Sequence, residues 1–322
     1  MNSWLTNKGR SVLGIIAALL ISPMVLADNY TIGTGSQSGT YYPLGGMLAN
    51  VWSKNIPDFH MRAEVTAASV ENVIKVAMNK QLVGIAMENV VMQAYEGKKP
   101  FPKAMNVSVL YALYPNVVQF IVPADSDITS IEQLKGKRIS LGAPGSGTRV
   151  SAINILKALG IDEDDIKGQS LNYTATTNAL ANGQIDAGVI VGSLGVGAIT
   201  ELALTRHIRI LSFSKQEMTK IVAAYPYYES IDVPAGVYKN VANFHAPAVW
   251  NVLVANKNMS NKMAYELTKV TFDNIDKIRA SIGLPNISNV QELHQLTGFP
   301  LHPGAEKFIK EYKTEHTLSA VK

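Results

Sequence analysis

The chain has 322 residues, no cysteine and a formal net charge of +4, with 47% hydrophobic and 17% charged residues. The missing thiols exclude disulfides, thiolate nucleophiles, cysteine-based zinc sites and a lipid-anchored cysteine. The charge is too mild for a nucleic-acid footprint and no basic stripe interleaves with aromatics, so no nucleic-acid partner is expected.

Residues 1–27 read as a secretory signal peptide. Lys8 and Arg10 form a positive n-region, Ser11 to Ile21 an uncharged apolar run, and Val25-Leu26-Ala27 a cleavage site. The apolar run falls short of the roughly 20 residues a spanning helix needs, and no later segment supplies one. Cleavage near Ala27 removes two cations from the +4 and leaves +2 on about 295 residues, enough for two domains with real cores. An exported chain with neither anchor nor lipid points to a Gram-negative periplasm.

From Tyr30 onward, strand-like and helix-like segments alternate. Tyr30 to Ile32 reads as a strand, Tyr42 to Trp52 as a helix, Met61 to Val65 as a strand and Val70 to Asn79 as a helix. Leu82 to Met87 is a third strand leading into a helix from Asn89 to Tyr95, a pattern that implies a parallel sheet covered by helices. Val107 to Tyr114 and Val117 to Pro123 are two further apolar runs. The pattern then restarts: a short helix at Ile131 to Leu134, a strand at Arg138 to Leu141 and a helix at Thr148 to Leu159. Thr176 to Asn182 and Ile185 to Val191 repeat helix then strand, and Val249 to Ala255 is another apolar strand. Helical patterns at Asn261 to Ile282, Val290 to Thr297 and Ala305 to Tyr312 close the chain. This predicts an α/β protein of two lobes joined by crossover strands near Val117 to Val122 and Val249 to Ala255. Lobe I would be residues 28–120 plus 252–322, and lobe II residues 121–251.

The most informative segment is Gly33-Thr-Gly-Ser-Gln-Ser-Gly-Thr-Tyr-Tyr42, between a strand and a helix. Glycines turn backbone N–H groups toward a ligand, and the helix start adds unpaired N–H groups with partial positive charge. Ser36, Thr40 and Tyr41 add neutral donors, with Gly35 and Gln37 in the same loop. The spacing is neither a P-loop nor a dinucleotide fingerprint. A capped tight turn is the plain alternative. Gly142-Ala-Pro-Gly-Ser-Gly-Thr148 repeats this chemistry in the second unit, offering Ser146, Gly147 and Thr148, and Gly192-Ser193 ends a third strand. Ligands lie beyond the carboxyl ends of parallel strands, so two helix starts facing one cleft would grip a small anion. Four or five charge-assisted hydrogen bonds, less the cost of ordering, leave about −8 kcal/mol, a micromolar affinity.

Asn89 can donate and accept and is expected at the ligand; Glu88 reads first as a polar helix cap. Tyr114 beside Pro115 would line the hinge side of the cleft, whereas Tyr111 reads as core and Arg149 as pointing to solvent. Catalysis has little support, and no catalytic residue, metal site or cofactor is assigned. None of the six histidines adjoins the Gly/Ser loops, and no G-x-S-x-G elbow or H-E-x-x-H pair occurs. A hydrolase or transferase on the same fold, or a sensory ligand-binding module, are the competing classes.

Gly33 to Gly46 (GTGSQSGTYYPLGG) resembles the signature of TAXI-type solute receptors, the periplasmic components of one branch of TRAP transporters. Leu134 to Thr148 is similar to that family's second-domain loop, and Gly183-Gln-Ile-Asp-Ala187 and Pro300-Leu-His-Pro-Gly-Ala305 match its pattern. The resemblance covers nearly the whole mature chain. It implies a two-lobed Venus-flytrap fold of type II, delivery to TRAP integral-membrane subunits driven by an ion gradient, and a C5 dicarboxylate ligand. By position, Ser36, Thr40, Tyr41, Asn89, Ser146, Gly147, Thr148 and Ser193 would bind, with Gly35, Gln37, Glu88, Tyr114 and Gly192 as secondary candidates. Relatives often carry an aspartate where this chain has Asn89, which favours a ligand without an amino group, such as 2-oxoglutarate, over glutamate. Ser38 replaces the family's usual glycine and is expected to narrow the loop's conformations.

Overall fold

The computed structural model describes residues 28–283 and 301–319; the expected signal peptide and the helical pattern at Val290 to Thr297 lie outside them. The first unit is β1 (Asp28–Gly33), α1 (Tyr41–Asn55), β2 (Phe59–Glu64), α2 (Ser69–Ala77), β3 (Val83–Met87) and α3 (Glu88–Glu96). β1 pairs in parallel with both β2 and β3, as its βαβ pattern predicts.

Val107 to Pro123 forms one 17-residue strand, β4, where two separate runs are expected from the sequence. Pro115 is carried within it opposite Trp250 of β10 (Phe244–Asn256), and the ladder shifts register between Trp250 and Val252. A proline cannot donate to the ladder, and an irregularity at that point accommodates it. β4 and β10 are antiparallel and run through two groups of strands. β3 joins β10 at Val83 to Met87, while β7 (Ala187–Gly192) and β8 (Ile208–Ile210) join the far half of β4 from Val117 onward. The whole sheet has the order β2-β1-β3-β10-β4-β7-β5-β6, with β8 on β4 and β9 (Glu229–Val233) on β10. β5 (Arg138–Ser140) is parallel to β6 (Lys167–Gln169) and to β7, so the second group repeats the parallel pattern.

Helices α4 (Gly147–Ala158), α5 (Tyr173–Ala181), α6 (Gly197–Thr205) and α7 (Lys215–Ala224) belong to this second group. α6, α7, β6, β8 and β9 are not read from the sequence. The long C-terminal pattern breaks at Asn274 into α8 (Asn261–Asp273) and α9 (Ile275–Ile282), and α10 spans Pro303–Ser319. These helices pack back on the first unit: Trp52 Nε1 donates to Leu267 O at 3.1 Å and Thr271 Oγ1 at 3.0 Å. Tyr111 is fully buried against Phe272, in agreement with its core reading.

Two of the sequence motifs are structural clips. Asp186 accepts from Arg138 at its backbone N (2.8 Å), Nε (3.1 Å) and Nη2 (2.6 Å), tying β5 to the start of β7. The Arg138 guanidinium holds the Asp186 carboxyl below its usual range. In the last motif His302 is buried and its ring faces Met259 O at 3.0 Å, and Gly304 packs on the Asn261 backbone with no room for a side chain. Among the described residues no helix is long and apolar enough to cross a membrane.

Candidate functional site

The first Gly/Ser loop leaves β1 and turns through a Gly39 N–H to Ser36 O bond of 2.9 Å before α1 begins. No side chain caps α1 and its first turn holds no acid, so its start stays open to an outside acceptor. Ser38 lies outside the left-handed region. It bridges to the second group, its Oγ lying 3.2 Å from Thr174 Oγ1 and its carbonyl accepting from Ala198 N–H at 3.1 Å. Thr40 Oγ1 lies 2.8 Å from Ser193 Oγ, a second bridge between the groups.

The second loop leaves β5 at Gly142, whose φ of +105° and crowding by Ser146 Oγ and Thr148 Cβ demand glycine. Ser146 is the N-cap of α4: its Oγ accepts from Arg149 N–H at 3.1 Å and donates to Ala143 O at 2.7 Å. The plain capping role therefore holds for Ser146 even though it faces the cleft. Gly147 packs on Ser69 and Met87 so closely that any side chain there would collide with both.

Two more helix starts join these loops. At α2, Val70 and Glu71 N–H groups both donate to Gly145 O at 3.2 Å, and Ala68 is held at φ +80°, a strained value of the kind that clusters at ligand sites. At α5, Asn172 caps Ala175 N–H at 2.9 Å, and Tyr173 OH donates to Val191 O at 2.6 Å and meets Thr148 Oγ1 at 2.9 Å. The starts of α1, α2, α4 and α5 thus surround one cavity of about 60 Å³. That is room for about four to six waters, or on the order of 120–180 Å³ of liquid, the space of a compact solute.

Among the described residues, no Lys, Arg, His, Asp or Glu lines this cavity. Its polarity comes from hydroxyls, amides and helix starts, which carry partial positive charge. Burial raises the Tyr41 and Tyr173 hydroxyls above their usual range, so both are neutral donors. Tyr41 OH bonds Asn251 Oδ1, which also accepts from Asn116 Nδ2 at 2.9 Å. The Tyr114 hydroxyl and Asn116 Oδ1 are buried on the wall without a hydrogen-bond partner of good geometry.

Of the expected site residues, Gly35, Ser36, Thr40, Tyr41, Tyr114, Ser146, Gly147, Thr148 and Gly192 line the cavity. Ser193 sits one residue beyond, on Thr40, and Gln37 is exposed and outside the lining. Asn89 and Glu88 are not among its lining residues. Met87 ends β3 with its side chain in the cavity, and α3 then turns the next two residues away. Asn89 is wholly buried, donating to Ser151 Oγ at 3.1 Å and Tyr228 OH at 3.2 Å, and Glu88 lines a different cavity. Arg149 pairs with Glu163 at 2.8 Å, away from the site as expected. Thr66, Ala67, Ala68, Ser69, Asn116, Asn172 and Tyr173 are lining residues that the sequence reading misses. The signals available were the strand-to-helix position of Ser69 and the N-cap residue type of Asn172.

A model of the NMT1-like family matches residues 32–312. The chain belongs to that family. Solved structures with the same fold include PhnD1 from Prochlorococcus marinus (MIT 9301) in complex with methylphosphonate, at 15% identity and a TM-score of 0.55 over 82% of this chain and 93% of that one. The alkanesulfonate-binding protein SsuA from Xanthomonas axonopodis pv. citri, bound to MOPS, aligns at 16% identity and a TM-score of 0.50 over 88% and 83%. A putative L-cystine ABC transporter from Listeria monocytogenes aligns at 14% and 0.50 over 81% and 98%. This NMT1-like chain therefore has the mixed α/β fold of periplasmic binding proteins.

Proposed function

We propose that this NMT1-like protein is a periplasmic solute receptor that closes two lobes, residues 28–120 plus 252–322 and residues 121–251, over a small carboxylate-bearing anion. The supporting observation is the meeting of four helix starts on one cavity lined, among the described residues, by no charged side chain. Backbone N–H groups and partial positive charge attract an anion without the deep electrostatic well an arginine would create, so release stays feasible. The TAXI-like motifs support delivery to TRAP membrane subunits, and a cavity with the room of a compact solute supports a C5 dicarboxylate. The preference for 2-oxoglutarate over glutamate no longer rests on Asn89. It rests on the wall's having no carboxylate among the described residues: an ammonium group would lose its hydration and meet only neutral acceptors.

Calorimetric titration with 2-oxoglutarate, glutamate, methylphosphonate and an alkanesulfonate tests this reading. Micromolar binding of 2-oxoglutarate, tighter than glutamate, is expected. Tighter binding of glutamate overturns the ligand preference, and tighter binding of the phosphonate or sulfonate overturns the dicarboxylate assignment.

One feature favours the hydrolase alternative. Ser230 Oγ lies 2.7 Å from His245 Nε2, and His245 Nδ1 lies 2.7 Å from Asp232 Oδ1, the order of a serine-protease triad. Asp232 is 94% exposed on the strand β9, so water screens the carboxylate that would have to orient and support the imidazolium. The cross-strand pairing of β9 and β10 places Asp232 opposite His245 and accounts for the geometry without catalysis.

A further inference from the structure

A second cavity, of about 380 Å³, lies between α3 and the connection from α7 to β9. Glu88, Gln93 and Glu96 face it from α3, and Tyr225, Tyr227 and Glu229 from the opposite wall. It shares no lining residue with the helix-start cavity. Glu88 is only 6% exposed, and its carboxylate has no hydrogen bond or ion pair among the described residues. Burial first, and then the Glu229 carboxylate, push the Glu88 carboxyl up to about 8. The Gln93 Oε1 is also buried without a partner. Lys98 is the one cation among the lining residues, and it is paired with Glu96 at 2.9 Å.

Each unsatisfied group here is therefore an acceptor, and three carboxylates face one ammonium. The Tyr225 and Tyr227 rings, 5.8 Å apart at 33°, also line the cavity, and an aromatic face there would attract a cation. We propose that this cavity binds a small organic monocation, a primary or quaternary ammonium, with Glu88 as counter-ion and the two tyrosines as aromatic walls. A metal ion fits less well, because no group of three or more His, Asp or Glu suited to a metal occurs among the described residues. A cation between Glu88 and Glu229 relieves both the desolvation of the first and the repulsion between them. Its binding near neutral pH therefore expels a proton from Glu88.

The test is calorimetric titration with methylammonium and tetramethylammonium chloride at constant ionic strength, with sodium chloride and neutral tert-butanol as controls. Saturable binding of at least one ammonium is expected, with proton release near pH 7.5 that vanishes above pH 9. Glu88→Gln is expected to weaken it at least tenfold, and Glu229→Gln, at an exposed position, to weaken it several-fold. Absence of saturable heat with both cations, equal binding of tert-butanol, or unchanged affinity in Glu88→Gln overturns the proposal. Should Glu88→Gln fail to fold, Glu229→Gln decides: unchanged affinity there overturns it equally.

Discussion

Adding one methyl group at Gly147 separates closure from chemistry. The Cβ of Gly147→Ala would lie 2.6 Å from Ser69 Oγ and closer still to the Met87 methyl, so the start of α4 must back away from α2 by about an ångström. Overpacking of this size costs about 1–3 kcal/mol. If the lobes hinge, that cost falls only on the closed form, and ligand affinity drops about 5- to 150-fold. The open form feels no collision and gains slightly from the better helix propensity of alanine. The substitution removes no backbone N–H donor. Calorimetry on the variant, beside thermal unfolding without ligand, reads both quantities. Lowered affinity with an unchanged or raised melting temperature is the expected pair. A melting temperature that falls in step with affinity would mean that the two groups of strands form one rigid unit, and the hinge would be refuted.

Other perturbations give distinct signatures. Thr40→Ala removes the bridge to Ser193 and should weaken the anion about 2- to 12-fold, mostly through faster dissociation in stopped-flow traces; an unchanged rate counts against the bridge. Arg149→Ala should leave affinity within twofold, because the guanidinium is held by Glu163; a large loss would place Arg149 at the ligand. The raised Glu88 carboxyl keeps its proton in the folded state between its unfolded value of 4.5 and about 8, so stability declines as pH rises through that window. At 1.36 kcal/mol per unit, the ceiling on this loss is about 5 kcal/mol. Urea unfolding should therefore show Glu88→Gln gaining on the native protein from pH 5 to pH 9, and parallel profiles would sink the argument. Ser230→Ala should leave hydrolysis of p-nitrophenyl acetate at the native background, and a drop would revive the hydrolase reading.

Local chemistry made the two Gly/Ser loops legible in the sequence, since glycine, hydroxyl and helix start fall within ten residues of one another. The β1 to α3 pattern was equally readable because its buried faces repeat with clear periods. Thr66 to Ser69 was hidden because it makes a cavity-facing turn without glycine, relying on Ala68 at φ +80°. Asn116 and Tyr173 reach the cavity only through tertiary pairing, Asn116 by its register on β10 and Tyr173 by its bond to Val191. Asn89 stands outside the lining for a local reason: with Met87 turned into the cavity, a helix starting at Glu88 carries the following side chains elsewhere. The fusion of two apolar runs into β4 was concealed by Pro115, which usually marks a strand's end and here coincides with a register shift in its partner.

The proposed anion capture depends most on main-chain donors meeting negative charge. Following the amide resonances of Tyr41 and Gly147 while 2-oxoglutarate is added observes that meeting. Both should move downfield in proportion to saturation, and the neutral dimethyl ester should leave them in place. Saturable binding that leaves both amides still, or that the ester reproduces, would contradict it.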